Sequence, residues 1–362
     1  MLEVRGSPSP QVHQSQVGLE PWLQWNTVAI VGLDGVTRNE AGFAPLPWPD
    51  AGCGGPEFLP SAYVVGDRVF FADGTGAIRS LGPQGPPELV TSFPLISSQQ
   101  LMSFAVSPDG TKLLATIVTL PAMLAGADPC QASGVRLFAP GDLAYDVYAA
   151  TAGGPTRRIS HQTYPLESPG RTWYSPGLVG FELWGWNRIG PYGTYPSVLS
   201  GIFGGPTPRW HGDLWYADPA TGKPTDPVIA PPGSRGCPAN GTSLIWDIAP
   251  SGDYVCTATD GAGYVVRPDG TVAWTIPVYW VLALLAPDER HVVTGLSGAS
   301  ILGSDGSKLA LPSQFSYEAW IDPTTLVGFQ SLDGDLLFLK VTNPSAIVDL
   351  GVKGAFVGTL QQ

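Results

Sequence analysis

The stretch LIWDIAPSGDYVCTATDGAG (residues 244–263) decides the fold, because two later stretches repeat its pattern. The copies are VLALLAPDERHVVTGLSGAS (281–300) and YEAWIDPTTLVGFQSLDGD (317–335). In each copy a short apolar strand runs into a proline turn and continues as a second apolar strand. The turn prolines of the three copies are 37 and 36 residues apart. A period of about 35–40 residues with four short strands per repeat is typical of a β-propeller.

Two earlier prolines, Pro108 and Pro176, mark further copies of the strand–turn–strand pattern. They precede the next turn proline by 68 and 74 residues, about two repeats each, so these stretches hold insertions or a divergent repeat. The sequence therefore predicts an all-β fold, a β-propeller of four-stranded antiparallel blades. We expect seven blades, with six or eight as the alternatives.

The two ends of the chain are predicted to share one blade. The stretch NTVAIVGLDGVTRNEAGF (26–43) supplies two strands that lack partners, and GAFVGTL (354–360) can supply a missing one. Pairing of the N- and C-terminal strands closes the ring and removes exposed sheet edges.

The repeat pattern also sets the predicted domain organisation. We assign residues 1–18 to a disordered N-terminal tail and 19–362 to a single β-propeller domain. Insertions are expected in blade 3 at about 119–134 and in blade 4 at about 187–211.

Asp-Gly pairs occur at nearly all the expected hairpin tips. There are seven, starting at Asp34, Asp73, Asp109, Asp260, Asp269, Asp305 and Asp333. Asp-Gly is favoured in two-residue type I′ turns, in which both residues take positive φ. The sequence therefore predicts that these aspartates serve the hairpin backbone. Acidic turns such as Asp333-Gly334-Asp335 could instead offer oxygen ligands to calcium. We expect no cofactor, with calcium as the alternative.

The segment SPDGTKLLA (107–115) resembles the repeats of TolB-like and related WD-like propellers. Their consensus is an aromatic residue, then Ser-Pro-Asp-Gly, then Lys and an apolar strand. Weaker copies are APSGDYVCT (249–257), APDERHVVT (286–294) and DPTTLVGF (322–329). The resemblance implies a propeller fold, a tendency toward extracytoplasmic location in bacteria, and a tendency to bind proteins or peptides. It transfers no catalytic residue.

Charge and hydropathy narrow the range of partners. The net charge is −12, and the longest basic run is Arg157-Arg158, so nucleic acid is not an expected partner. The longest apolar run, residues 274–287, has 14 residues and contains Pro277, which is too short for a transmembrane segment. The first residues carry no signal peptide pattern.

Four cysteines bear on the compartment: Cys53, Cys130, Cys237 and Cys256. No Cys-x-x-Cys pair occurs, which argues against a zinc knuckle or redox motif. Cys237 and Cys256 lie close enough in the predicted strands to bridge within one blade, and four buried thiols are the alternative. A disulfide is typical of an oxidising compartment, so we expect an extracytoplasmic protein, in the bacterial envelope or secreted.

Sequence motifs for catalysis are missing. There is no Gly-x-Ser-x-Gly nucleophile elbow, no phosphate-binding loop, and no metal-binding spacing among the four histidines.

An aromatic-rich segment supplies the candidate binding residues. Between residues 173 and 216, 11 of 44 residues are aromatic, against about one in ten for the whole chain. Trp and Tyr can stack on sugar rings or anchor a protein partner. The predicted ligand-binding residues are Trp184, Trp186, Tyr192, Tyr195 and Trp210. The alternatives are that these aromatic residues pack inside the propeller or form an oligomer contact.

Three functions are compatible with this sequence. The first is a non-enzymatic extracytoplasmic propeller that binds a protein or glycan through loops on one face, and that can form a homo-oligomer. The second is a propeller enzyme of the lyase, glycosidase or lactonase type, with calcium or carboxylates at the channel mouth. Its candidate carboxylates are Glu182, Asp247, Glu318 and Asp322. The third is a self-assembling structural protein.

Overall fold

The computed structural model describes most of the chain outside residues 166–243. The described residues are 2–8, 23–44, 62–165 apart from 98, 108, 120 and 123–141, six short strands between 172 and 225, 237–238, and 244–360 apart from 250, 280–282, 296–297, 330–334 and 354. Within these ranges the protein contains thirty β-strands and no helix. No helix that could cross a membrane is found among the residues searched, which are the described ones.

The strands are short, and most are bounded by glycine turns. In chain order they are β1 (Leu2–Pro8), β2 (Leu23–Val31), β3 (Thr37–Gly42), β4 (Ala62–Val65), β5 (Arg68–Ala72), β6 (Ala77–Leu81), β7 (Glu88–Ser92), β8 (Gln100–Val106), β9 (Lys112–Thr119), β10 (Asp142–Thr151), β11 (Arg157–Pro165), β12 (Thr172–Tyr174), β13 (Val179–Phe181), β14 (Pro191–Thr194), β15 (Val198–Ser200), β16 (Leu214–Ala217), β17 (Pro224–Thr225), β18 (Leu244–Ile248), β19 (Tyr254–Thr257), β20 (Ala262–Val266), β21 (Val272–Tyr279), β22 (Ala283–Leu285), β23 (His291–Thr294), β24 (Ser300–Gly303), β25 (Lys308–Ala310), β26 (Ser316–Asp322), β27 (Thr325–Phe329), β28 (Asp335–Lys340), β29 (Ile347–Lys353) and β30 (Ala355–Gly358).

All but two of the described strands belong to four-stranded antiparallel sheets. Six sheets follow the chain: sheet 1 (β4–β7), sheet 2 (β8–β11), sheet 3 (β13, β14, β16, β17), sheet 4 (β18–β21), sheet 5 (β22–β25) and sheet 6 (β26–β29). The terminal sheet has the order β3-β2-β1-β30, and β12 pairs with β15. Sheets 4, 5 and 6 coincide with the three sequence repeats. Antiparallel four-stranded sheets built from consecutive strands fit the blades of a β-propeller.

The N- and C-terminal strands share the terminal sheet, in which β1 pairs with both β2 and β30. The strand Leu2–Pro8 differs from the disordered tail predicted over residues 1–18. The edge of β30 offers unpaired backbone groups to β1, a long-range partner that local composition cannot reveal. Most of each predicted insertion, at 119–134 and at 187–211, lies outside the described residues.

The apolar core lies between consecutive sheets. Phe70 and Ile78 of sheet 1 pack with Phe104 and Leu113 of sheet 2. The same layering joins sheets 4 and 5, sheets 5 and 6, and the terminal sheet with sheet 1. Because each sheet is covered by a neighbour, its strands carry apolar residues at successive positions rather than in strict alternation.

The Asp-Gly turns differ from the predicted type I′ geometry. In the β19–β20 hairpin, Gly261 N–H donates to the Ala258 carbonyl, and only Gly261 has positive φ, at 87°. The turn is therefore a type I turn followed by a left-handed glycine. The Asp260 carboxylate accepts a hydrogen bond from Ala262 N–H at 2.9 Å, which holds the turn closed. Four other pairs repeat this geometry, namely those at Asp34, Asp109, Asp269 and Asp305.

A disulfide joins Cys237 to Cys256 in sheet 4, with a Cα–Cα distance of 5.8 Å. Both residues are buried beside Tyr254. The bridge that the sequence left open is thus present. Cys53 and Cys130 lie outside the described residues.

Candidate functional site

One end strand of each four-stranded sheet contacts the corresponding end strand of a neighbouring sheet. We call β4, β8, β13, β18, β22, β26 and β30 the inner strands; each stands at one end of its sheet. Contacts join β13 to β8, β8 to β4, β4 to β30, β30 to β26, β26 to β22, and β22 to β18. In a propeller these strands surround the central channel, so inner-strand carboxylates are the natural candidates for chemistry there.

Glu318 lies in a β-bulge of β26. Tyr317 pairs with Gly328 and Ala319 pairs with Val327, so Glu318 has no partner opposite it on β27. A bulge redirects the side chain of the extra residue. The Glu318 carboxylate reaches the next inner strand, where Oε1 accepts a hydrogen bond from Phe356 N–H at 3.1 Å.

Burial dominates the electrostatics of Glu318. Loss of hydration raises the pKa of this carboxyl to about 7, although the hydrogen bond from Phe356 N–H opposes the shift. A carboxyl group with this pKa is partly protonated at neutral pH. It can therefore donate or accept a proton, as a general acid or base must.

Asp247 makes the corresponding connection between sheets 4 and 5. It follows a bulge at Trp246, and its Oδ2 accepts a hydrogen bond from Leu285 N–H of β22 at 2.7 Å. The donor and acceptor are 38 residues apart, as they are for Glu318 and Phe356. Two inner-strand acids thus act as hydrogen-bond tethers to the next sheet.

Asp322 has a local role. Its Oδ1 accepts hydrogen bonds from Thr324 N–H and from the Thr324 hydroxyl, both at 2.7 Å. Burial raises the pKa of Asp322, but the Thr324 hydrogen bonds together with smaller contributions that include the Lys340 charge lower it, and the net shift is downward. A carboxylate with a lowered pKa that closes its own hairpin is a poor proton donor. Glu182, the fourth candidate, lies outside the described residues.

Tryptophans on the inner strands were not among the predicted site residues. Trp320 Nε1 donates to the Leu284 carbonyl of β22 at 3.2 Å, and Trp246 Nε1 donates to the Thr257 hydroxyl at 2.7 Å. The aligned repeats could have indicated these two tryptophans, because each lies three or four residues before the turn proline of its repeat. These contacts give the two indoles structural partners.

Metal ligands do not cluster within the described ranges, where no group of three or more His, Cys, Asp or Glu side chains could hold an ion. The acidic turn Asp333-Gly334-Asp335 falls only partly within those ranges, since Asp333 and Gly334 are outside them.

The predicted aromatic site is described only in part. Trp184, Trp186, Tyr195 and Trp210 lie outside the described residues, and Tyr192 lies on β14. In the antiparallel register, Tyr192 stands opposite Gly180 of β13 and opposite Tyr216 of β16. This register puts two tyrosines of the aromatic-rich segment at neighbouring positions of sheet 3.

No protein-family model matches the chain, and no curated protein matches it in sequence. Solved structures of similar shape do exist, at low identity. One is the oligogalacturonate lyase of Vibrio parahaemolyticus, with 10% identity, a TM-score of 0.39 and coverage of 78% of this chain and 74% of that one. Another is the β-propeller domain of Cps50 (Swd1) from Myceliophteria thermophila, with 10% identity, a TM-score of 0.34 and coverage of 83% and 89%.

A third similar structure is the acylaminoacyl peptidase of Pyrococcus horikoshii, with 13% identity and a TM-score of 0.46. The match covers 90% of this chain and 47% of the peptidase, so the chain spans about half its length. All three TM-scores lie below 0.5.

Proposed function

We propose that this protein is a non-enzymatic β-propeller that acts outside the cytoplasm and binds a protein or glycan partner through loops on one face. One observation supports this above all others. The inner-strand acids Asp247 and Glu318 accept hydrogen bonds from the backbone of the next sheet, and Asp322 closes its own turn. Hydrogen bonds of this kind brace one sheet against the next and hold a hairpin closed, which supports a rigid scaffold.

The proposed scaffold is a closed ring of seven blades. Each four-stranded sheet is one blade in this proposal, and the terminal sheet joins the two ends of the chain. The inner-strand contacts run from sheet 3 through sheets 2 and 1 and the terminal sheet to sheets 6, 5 and 4. Closure then requires sheets 3 and 4 to adjoin. A closed ring positions its loops on two opposite faces, where repeat proteins place binding segments.

The proposed location rests on the Cys237–Cys256 disulfide and on the TolB-like sequence resemblance. A buried disulfide persists in an oxidising compartment, whereas cytosolic thiols are kept reduced.

The proposed binding site is the aromatic-rich segment, with Trp184, Trp186, Tyr192, Tyr195 and Trp210 as its contacts. The pair of tryptophans around Gly185 supplies two indole rings, a type of side chain that can stack on a sugar ring or anchor a protein partner.

A thermal-shift screen against glycans and metal ions tests this proposal. A ligand that binds only the folded state raises the melting temperature by mass action. We expect a glycan or protein ligand to stabilise the wild type but not Trp184→Ala/Trp186→Ala. Trp274→Ala is the matched control, because Trp274 is half-buried in sheet 4 and donates to the Glu289 carbonyl at 3.3 Å. The control is expected to melt earlier yet keep the ligand-induced shift.

Equal ligand-induced shifts in the double variant and the wild type would remove the aromatic site from the proposal. Earlier melting of Trp184→Ala/Trp186→Ala without any ligand response in the wild type would indicate that these tryptophans belong to the core.

The second candidate is a propeller enzyme that uses Glu318 as its acid or base. The observation in its favour is the combination of an inner-strand position with a pKa of about 7. The discriminating measurement is polysaccharide cleavage and lactone hydrolysis by wild type and by Glu318→Gln. Activity that is present in the wild type and absent in this variant would replace the scaffold proposal with the enzyme.

A further inference from the structure

The outermost strands of β-sheets expose unpaired backbone groups that can pair with another chain. Most outer strands described here are poor templates for such pairing. β17 and β25 have two and three residues, and β21 contains Pro277. β29 contains Gly351 with φ of 65°, and β3 is tied to sheet 1 by Asn39, whose side chain donates to the Gly82 and Gly85 carbonyls.

The outer strand of sheet 2 is different. β11 runs for nine residues, Arg157–Pro165, the longest of the described outer strands. Among the described strands it pairs only with β10. Its single register shift lies between Arg158 and Ser160, and pairing continues without interruption from Ser160 to Pro165. Pro165 lacks a backbone N–H, so the regular edge that can receive an added strand runs over the five residues 160–164.

The edge is basic in an acidic protein. Arg157-Arg158 is the one place where two Lys or Arg residues adjoin in a chain of net charge −12. Both arginines are exposed, as are His161 and Thr163. The register with β10 places Arg158, His161 and Thr163 on one face of the sheet and Arg157 on the other. A strand laid beside β11 would therefore meet an arginine on each face.

Asp146 of β10 holds two of these groups in place. Its Oδ1 lies 3.1 Å from Arg158 Nη1, which donates to it, and 2.8 Å from His161 Nδ1. The Asp146 side chain is only 13% exposed, whereas Arg158 and His161 are 53% and 47% exposed. The buried carboxylate thus holds the Arg158 and His161 side chains in place, while about half of the surface of each side chain stays accessible to a ligand. Fixing them in advance lowers the entropy cost of binding.

We propose that the outer edge of β11, which pairs with no other described strand, binds an extended acidic peptide segment of a partner protein as a fifth strand of sheet 2. Backbone hydrogen bonds to the edge supply affinity, and acidic side chains opposite Arg157 and Arg158 supply selectivity. The same arginines repel a second copy of β11, because like charges in neighbouring strands are unfavourable. This repulsion disfavours pairing of β11 with a second β11, whereas an acidic segment complements the edge. This proposal uses different residues from the aromatic-rich segment, so either can fail without the other.

Fluorescence anisotropy with synthetic peptides tests the proposal. The probe is a labelled eight-residue peptide that alternates Glu with Thr, and it is compared with a Lys/Thr peptide of the same pattern. A third peptide carries the Glu/Thr sequence with alternate backbone amides N-methylated. We expect the wild type to bind the acidic peptide about tenfold or more tightly than the other two.

Paired variants locate the site. Arg157→Glu/Arg158→Glu is expected to weaken binding of the acidic peptide about tenfold or more. Arg267→Glu/Arg290→Glu makes the same charge change at exposed turn positions beside β20 and β23 and is expected to retain binding. Arg157→Gln/Arg158→Gln gives a milder version if the charge reversal disturbs Asp146 and the fold.

Three results would overturn the proposal. One is failure of the acidic peptide to bind the folded wild type. The second is equal binding of the N-methylated peptide, which would mean charge attraction without strand addition. The third is an equal loss in the Arg267→Glu/Arg290→Glu control, which would place the site elsewhere.

Discussion

Replacing Glu318 with Gln should remove a pH-dependent loss of stability. Glu318 sits in the bulge of β26 and bridges to Phe356 N–H of β30. The Gln side chain has the same shape and keeps a carbonyl acceptor for that N–H, but it cannot ionise. The two proteins therefore differ chiefly in whether a charge can form at this half-buried position.

The size of the effect follows from the pKa of Glu318, which burial raises from 4.5 to about 7 in the folded protein. Because the folded pKa is the higher one, the stabilising contribution is complete below about pH 4.5. It declines as pH rises and is lost once pH passes about 7. The folded and unfolded pKa values differ by about 2.5, and each pKa unit corresponds to about 1.36 kcal/mol in the free energy of unfolding, so the full effect is about 3 kcal/mol. Partial exposure of the side chain reduces it to about 2–3 kcal/mol.

Urea unfolding at pH 4.5, 6 and 8 measures this effect. We expect wild type and Glu318→Gln to have similar free energies of unfolding at pH 4.5, and the variant to be about 2–3 kcal/mol more stable at pH 8. The control is Glu88→Gln, since Glu88 is an exposed acid paired with Arg68 at 2.9 Å. Its difference from wild type should stay within about 1 kcal/mol throughout. A constant difference between Glu318→Gln and wild type across this pH range would refute the reasoning.

Two further changes have defined outcomes. Glu289 has φ of 60° at the turn position that Gly110 and Gly252 occupy in sheets 2 and 4. Glu289→Gly should therefore stabilise the protein by about 0.5–1 kcal/mol in urea unfolding, because it relieves left-handed strain of about 1–2 kcal/mol at some cost in unfolded-state entropy. Destabilisation would show that the Glu289 side chain has a structural contact of its own, and Gly252→Ala, at φ of 93°, should destabilise as the reverse control. Cys237→Ser/Cys256→Ser should lower the free energy of unfolding by about 2–4 kcal/mol, because it frees a loop of 19 residues in the unfolded chain. A reducing agent should destabilise the wild type similarly and leave this variant unchanged, whereas equal destabilisation of both proteins would locate the effect at another bond.

Local sequence signals predicted the parts of the fold that are built locally. The repeats around Pro250, Pro287 and Pro323 became sheets 4, 5 and 6, because each contains its own strands and turns. The sharing of one sheet by strands from both ends was also predictable, since residues 26–43 lacked strand partners. The geometry of the Asp-Gly turns was not, because type I turns with a following glycine and type I′ turns favour the same residue pair.

The roles of the inner-strand acids could not be predicted from sequence. Glu318 and Asp247 were candidates for chemistry, but their partners, Phe356 and Leu285, are backbone groups of another sheet. Every residue except proline has a backbone N–H, so the sequence does not show which one will donate to a given carboxylate. The position of a bulge depends on how two strands pair, which the sequence of one strand does not show. The edge of β11 was recognisable only as the doublet Arg157-Arg158, whose neighbour Asp146 lies on a different strand.

The pairing of β1 with β30 has a consequence for biosynthesis. Leu2 lies opposite Gly358, so β1 must wait until β30 has been synthesised before the terminal sheet can be completed. At about 5–20 residues per second, a ribosome needs roughly 20–70 s to cover that distance. During this interval the edge of β1 is not covered by β30. A chaperone that shields this edge would be most useful in that period, because an uncovered strand edge can pair with another chain.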